Sequence, residues 1–139
     1  MYIDLPGVRL WTVDSGAGTP IVLLHANTGT SLAWENQIST FSSAGYRAIA
    51  FDRRSWGKSM ADPATGPQPG TIAGDLEALA GHLALDSFHL VGIAGGGFAA
   101  LDYAAWSPGG FAASWLQRVQ GSWWTTRSGS SSRASRFQD

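Results

Sequence analysis

Three short apolar runs, Ile21–His25, Arg47–Phe51 and Phe88–Ile93, limit what this chain can fold into. Each is too short for a core helix and nearly continuous in apolar character, as a strand buried on both faces must be. The segments between them carry a helical period. Trp34, Gln37, Ile38 and Phe41 recur at helical spacing, and Gly45 follows as a stop. Ile72, Leu76, Leu79 and Leu83 mark one apolar face of a second helix. Gly95 to Trp106 reads as a third, ended near Pro108. Upstream, Val8–Val13 reads as a further strand, closed by the turn cluster Asp14-Ser15-Gly16-Ala17-Gly18. Residues 61–70, with Pro63, Pro67, Pro69, Gly66 and Gly70, read as a loop. Strands alternating with helices predict an α/β fold: a mostly parallel sheet with helices on both faces.

In such sheets ligand chemistry sits beyond the carboxyl ends of the strands. Three unusual loops stand there: His25-Ala26-Asn27-Thr28-Gly29, Asp52-Arg53-Arg54-Ser55-Trp56-Gly57-Lys58-Ser59 and Gly92-Ile93-Ala94-Gly95-Gly96.

In order and spacing these loops resemble the α/β-hydrolase family over residues 5–108. That family carries L-H-G after its third strand, D-x-R-G-x-G-x-S after the fourth and G-x-S-x-G after the fifth. The chain looks most like esterases, enol-lactonases and carbon–carbon bond hydrolases of the family. The resemblance implies a truncated α/β-hydrolase core whose nucleophile position is Ala94. It implies oxyanion-hole N–H groups from Gly95 and Asn27. His25, Gly92, Gly96, Asp52 and Trp34 would shape the site. Ser55 departs from the pattern, standing where the family has glycine.

Physically, a strand running straight into a helix needs a tight turn that lifts its apex side chain into the site, with glycines on either side for close packing. An apex serine would attack a carbonyl carbon with a histidine base oriented by a carboxylate. Ala94 removes the hydroxyl, a loss that costs a comparable serine hydrolase about 10⁶ in kcat. Three origins stay open for Ala94: an engineered trap, a natural non-hydrolytic relative, or a decayed gene.

Simpler readings stand beside these. The glycine loop at 92–97 also resembles a phosphate cradle, but no Lys-Ser/Thr follows it. His82 falls on the polar side of its helix, and His89 inside a strand reads as a satisfied polar group. Asp52 reads as a carboxylate holding its own loop by backbone N–H groups. Ser59 is an alternative nucleophile with no motif placing a histidine beside it. Trp34 is the apolar face of a helix, or an aromatic in contact with substrate.

With 139 residues the chain is one domain at most. Its 44% apolar content and net charge of −1 point to neither a nucleic-acid nor a membrane partner. The absence of cysteine removes disulfides and thiolate metal sites. No signal peptide and no run near the roughly 20 residues of a membrane span are evident. The expectation is a cytoplasmic protein with no metal or cofactor, whose partner is a small-molecule carbonyl ligand or substrate.

The charge divides unevenly. Residues 1–106 hold five Lys/Arg against nine Asp/Glu, whereas residues 107–139 hold four Arg against Asp139 alone. The division expected is therefore a hydrolase part at 1–108 and a Ser/Arg/Trp-rich tail at 109–139, disordered or frameshifted. No period organises the tail, and Gly129–Ser135 is of low complexity. The acid and base of the family lie downstream of this point, and without later strands Phe88–Ile93 would be an apolar edge. Two functions follow: a hydrolase-family chain that is itself inactive, or a non-catalytic small-molecule-binding protein on the same fold. A basic tail binding an acidic partner or nucleic acid is a third, though four arginines over 33 residues is thin for it. High-GC codons read in another frame turn Gly121–Thr126 into a Val/Asp-rich peptide and Phe111–Val119 into a Val-rich strand. Reading the coding DNA beyond Pro108 tests the frameshift; the other frame is expected to run open with an apolar strand pattern.

Overall fold

The apolar runs become neighbouring parallel strands at the centre of one sheet. The computed structural model describes residues 1–66 and 68–106, together with the backbone of three later strands. The elements are β1 (Tyr2–Leu5), β2 (Val8–Gly16), β3 (Thr19–Leu24), a 3₁₀ turn (Ser31–Trp34), α1 (Glu35–Ser43), β4 (Tyr46–Phe51) and β5 (Met60–Ala61). After these come α2 (Ile72–His82), β6 (His89–Ile93), α3 (Gly95–Trp106), β7 (Ser114–Val119), β8 (Ser122–Arg127) and β9 (Ser135–Phe137). The sheet order is β1-β2-β4-β3-β6-β7-β8-β9, with β5 on β2. Pairing is parallel from β4 through β3 and β6 to β7 and antiparallel elsewhere.

Alternation along β3 decides what each face holds. Val22 and Leu24 join Ile49, Phe51 and Leu90 in a cluster with Leu76 and Leu79 of α2 and Ala99, Ala100 and Tyr103 of α3. Ile21 and Leu23 join Ala48 and Ala50 against Trp34 and Ile38 on the other side. Successive strand residues point to opposite faces, so the helices divide, with α1 on one face and α2 and α3 on the other. The helix boundaries have local causes. Gly45 adopts φ +87° just after α1, and Thr71 caps α2 by accepting the Gly74 N–H at 3.0 Å.

Two sequence expectations change. The turn cluster at 14–18 shrinks, because β2 continues to Gly16 in register with β4, Asp14 opposite Ile49 and Gly16 opposite Arg47. Asp14 accepts Arg47 Nε at 3.0 Å and Nη2 at 2.6 Å, an ion pair that favours strand over turn. The second change concerns the tail, where no strand period was legible. β7, β8 and β9 form there, and β7 pairs with the open side of β6, which is therefore no edge. An open row of N–H and C=O groups on an apolar strand is a template that backbone alone can join. The 108/109 boundary and most of the Gly129–Ser135 stretch lie outside the described residues. No helix among the described residues is long and apolar enough to cross a membrane.

A buried ion pair straps the loop after β4 to the rest. Arg54 donates Nε to Asp75 Oδ2 at 2.9 Å and Nη2 to Oδ1 at 2.6 Å, and its Nη1 reaches Gly7 O at 2.8 Å. Their side chains are 12% and 4% exposed. Burial pushes the Asp75 carboxyl above its ordinary value, and the Arg54 hydrogen bonds oppose this. Removing one partner of such a pair strands the other charge. Arg54→Ala is expected to lower unfolding free energy by about 3–5 kcal/mol in urea at neutral pH. The loss should shrink in acid, where Asp75 takes a proton and its buried charge disappears.

Candidate functional site

The three loops meet at the carboxyl end of β3, β4 and β6. Ala94 separates the last residue of β6 from the first of α3 and adopts φ +48°, a left-handed conformation that costs a non-glycine residue about 1 kcal/mol or more. The neighbours impose it. A Cβ on Gly92 would lie 2.5 Å from Gly96 O, and one on Gly96 would lie 2.6 Å from His25 O. Both contacts are with backbone, so strand and helix approach as closely as they do only because these two residues are glycine. The first bond of α3 runs from the Phe98 N–H to Ala94 O at 3.1 Å. The N–H groups of Gly95, Gly96 and Gly97 precede it in the unpaired first turn of the helix.

Asn27 lies against this turn: a Cβ on Gly95 would fall 2.6 Å from Asn27 Cγ. Two groups hold Asn27. Trp56 Nε1 donates to Asn27 O at 2.7 Å, and Arg53 Nη2 donates to Asn27 Oδ1 at 2.6 Å. The Arg53 guanidinium also stands 4.8 Å from the Trp56 ring centroid, within cation–π range.

His25 is 1% exposed, and both its ring nitrogens are occupied. The Arg53 N–H donates to Nε2 at 2.9 Å, so Nδ1 carries the proton and donates to Ala26 O at 2.7 Å. Burial pulls its pKa below the ordinary histidine value; the Ala26 hydrogen bond pulls the other way. A neutral ring with no free nitrogen is a brace between two loops and has no lone pair to offer as a base.

Asp52 does parallel work. Its Oδ1 accepts the Ser31 N–H at 2.7 Å and its Oδ2 the Lys58 N–H at 2.8 Å. Gly57, at φ +52°, must be glycine, since a Cβ there would lie 2.6 Å from Asp52 Cγ. Ser59 is spent as well, donating to Asp52 O at 2.6 Å and accepting the Trp11 N–H at 2.8 Å. Ser55 takes φ +67°, the conformation that suits the glycine expected there.

Trp34, expected either as core or as a substrate contact, packs with Ile21, Leu23, Ile38, Ala48 and Ala50. It belongs to the α1 side of the core. His82 ends α2, and His89 opens β6 at the far end from Ala94; both are exposed. Among the described residues no group of three His, Asp or Glu side chains is placed to hold a metal.

The sequence reading missed Arg53 and Trp56. The available signal was two adjacent arginines after a buried strand, of which only Arg54 finds an acid among the described residues.

The family model described as the alpha/beta hydrolase fold matches residues 19–121. The chain belongs to the α/β hydrolase fold family. This α/β-hydrolase chain is 39% identical to a non-heme chloroperoxidase of Streptomyces lividans over 106 residues, 74% of this chain and 38% of that protein. It is 40% identical to an epoxide hydrolase of Caballeronia sordidicola over 88 residues, 62% of this chain and 26% of that one. A 2-hydroxy-6-oxononadienedioate/2-hydroxy-6-oxononatrienedioate hydrolase of Paraburkholderia phymatum matches at 35% over 101 residues, 70% of this chain and 35% of the relative. Among solved structures, a thermophilic esterase of Thermogutta terrifontis superposes at TM-score 0.68 with 26% identity, covering 76% of this chain and 41% of the esterase. The Vigna radiata epoxide hydrolase, at TM-score 0.72 and 24% identity over 84% of this chain and 37% of that one, shares the fold. The chain spans roughly a third of the length of these relatives.

The His25 brace makes stability depend on pH in one direction. Above about pH 6.5, the ordinary value, the ring is neutral folded and unfolded, and the brace contributes fully. As pH falls below that value the unfolded chain takes up the proton first, so stability is lost until the lowered folded value is reached. Unfolding free energies from urea titrations between pH 7.5 and 5 are expected to fall by at most about 1.4 kcal/mol per pH unit from this group. His25→Gln should be flatter, and the difference between the two curves isolates His25 from His82 and His89.

Proposed function

We propose that Ala94 occupies the nucleophile elbow of a small-molecule hydrolase and that the N–H groups of Gly95 and Asn27 form its oxyanion hole. The observation that carries this is the left-handed backbone of Ala94, φ +48°, at a strand-to-helix turn closed by Gly92 and Gly96. The parent activity is hydrolysis of an ester, lactone or related carbonyl compound. The names of the relatives, covering epoxide hydrolysis, an esterase and hydrolysis of an oxo-dioate, support a small-molecule substrate.

The chain itself does not hydrolyse. Ala94 offers a methyl group where a hydroxyl would attack, and no histidine base stands by. His25 is engaged at both nitrogens, and His82 and His89 lie elsewhere. What remains is a preorganised pair of donors for a carbonyl oxygen. The second reading, a non-catalytic binding protein, is favoured by the same fact: donors without a nucleophile hold a carbonyl ligand and let it go unchanged.

With p-nitrophenyl acetate the chain is expected to show no turnover above buffer, and Ala94→Ser alone should show none either. Ala94→Ser fused to the C-terminal part of an active relative is expected to hydrolyse, and the same fusion with Ala94 to be slower by about 10⁶. Turnover by the unaltered chain would refute the proposal.

A further inference from the structure

Two arginines of this chain show what the Nε/Nη2 edge of a guanidinium takes here. Arg47 sets Nε 3.0 Å from Asp14 Oδ1 and Nη2 2.6 Å from Oδ2. Arg54 sets Nε 2.9 Å from Asp75 Oδ2 and Nη2 2.6 Å from Oδ1. In each, the planar fork meets both oxygens of one carboxylate, the strong bidentate geometry of this side chain.

Arg53 turns the same edge to something incomplete. Its Nη2 donates to Asn27 Oδ1, a neutral amide oxygen, and its buried Nε has no acceptor. No carboxylate of the described residues lies within ion-pair distance of it. Yet Arg53 is 1% exposed. A full positive charge has been taken out of water with half of its recognition edge unfilled, an arrangement costly unless an anion completes it.

We propose that the Nε/Nη2 edge of Arg53 is a carboxylate subsite of the Ala94 cleft, so that the ligand class of this site is a small organic carboxylate. The inference rests on the reading of Ala94 as the centre of a carbonyl-binding cleft. Asn27 is exposed and holds the place: its amide oxygen occupies Nη2 while its side chain lies against Gly95. When Asn27 swings out, a carboxylate takes both donors of Arg53 and sits beside the first turn of α3. The unpaired N–H groups of Gly95, Gly96 and Gly97 favour negative charge there. Ala94 has no hydroxyl to react with it. Trp56, whose ring is 4.8 Å from the guanidinium, sits where its fluorescence reports the exchange.

Benzoate and methyl benzoate separate the possibilities, because they share ring and carbonyl and differ in charge. Titrated into the intact chain and followed by tryptophan fluorescence and calorimetry, benzoate is expected to bind about tenfold more tightly, a difference near 1.4 kcal/mol. Arg53→Met should bring the two probes within about twofold by weakening benzoate alone. Asn27→Asp supplies a carboxylate from the chain itself. It should erase the preference while keeping Arg53, which covers the case in which Arg53→Met does not fold. Equal binding of the two probes by the unaltered chain, or a preference that survives either folded variant, overturns the carboxylate subsite and leaves the Ala94 cleft standing. Binding of neither probe overturns both.

Discussion

Asp52 draws backbone N–H groups from two separate loops onto one carboxylate, and the rest of the cleft is arranged around that convergence. Ser31 approaches from the segment after β3 and Lys58 from the segment after β4. Neither loop has a regular ladder to hold it, so their donors would otherwise be left to water or stranded. With both donors fixed, His25 fits between the same two loops. Its neutral ring bonds the peptide of Ala26 on one side and that of Arg53 on the other. Hydrogen bonds to a charged acceptor are each worth about 1.5–3 kcal/mol, roughly twice a neutral pair. Asp52 therefore outweighs His25 as the fastener, and Gly57 is the residue that admits it.

Neighbouring arginines in this loop have opposite fates. Arg54 leaves the cleft, crosses to Asp75 on α2 and reaches the β1–β2 turn at Gly7. Arg53 stays under Asn27 and Trp56. Arg53 opens a turn that the Trp56 N–H closes on its carbonyl at 2.8 Å, and Arg54 falls inside that turn, so the two side chains part where the strand has already ended. One ties the loop to α2 and the other stays beside the turn that carries Asn27. Arg54 is held by the Asp75 carboxylate and by two neutral oxygens, Gly7 O and Gln68 Oε1. Among the described residues the Arg53 guanidinium meets an amide oxygen and an aromatic face, and burial pulls its pKa below the ordinary arginine value.

Much of this could be read from the amino acids. The runs at 21–25, 47–51 and 88–93 became adjacent strands because their apolar continuity fits a sheet covered on both sides. Gly92 and Gly96 flanked Ala94 in the sequence as they flank it in space. What escaped was set by partners far along the chain. Asp14 looked like a turn former until Arg47 appeared opposite its strand. Trp34 carried two readings, and only its neighbours Ile38 and Ala50 choose the core. Arg53 gave no local sign of burial, because burial is a property of what closes over a residue. The tail, lacking any period, gave no warning that β7 would continue the sheet beyond β6.

The turn at Ala94 keeps its left-handed backbone although alanine gains nothing from it. The geometry is enforced from outside, by peptide groups that touch across Gly92 and Gly96 and leave no room for another path. The turn is thus a socket whose shape is independent of what it holds. A hydroxyl, a thiol or a carboxylate grafted at this one position would inherit the same placement over the helix end. The socket thus fixes where a group stands and not whether it reacts, because His25, the histidine nearest in the chain to these loops, has both ring nitrogens engaged.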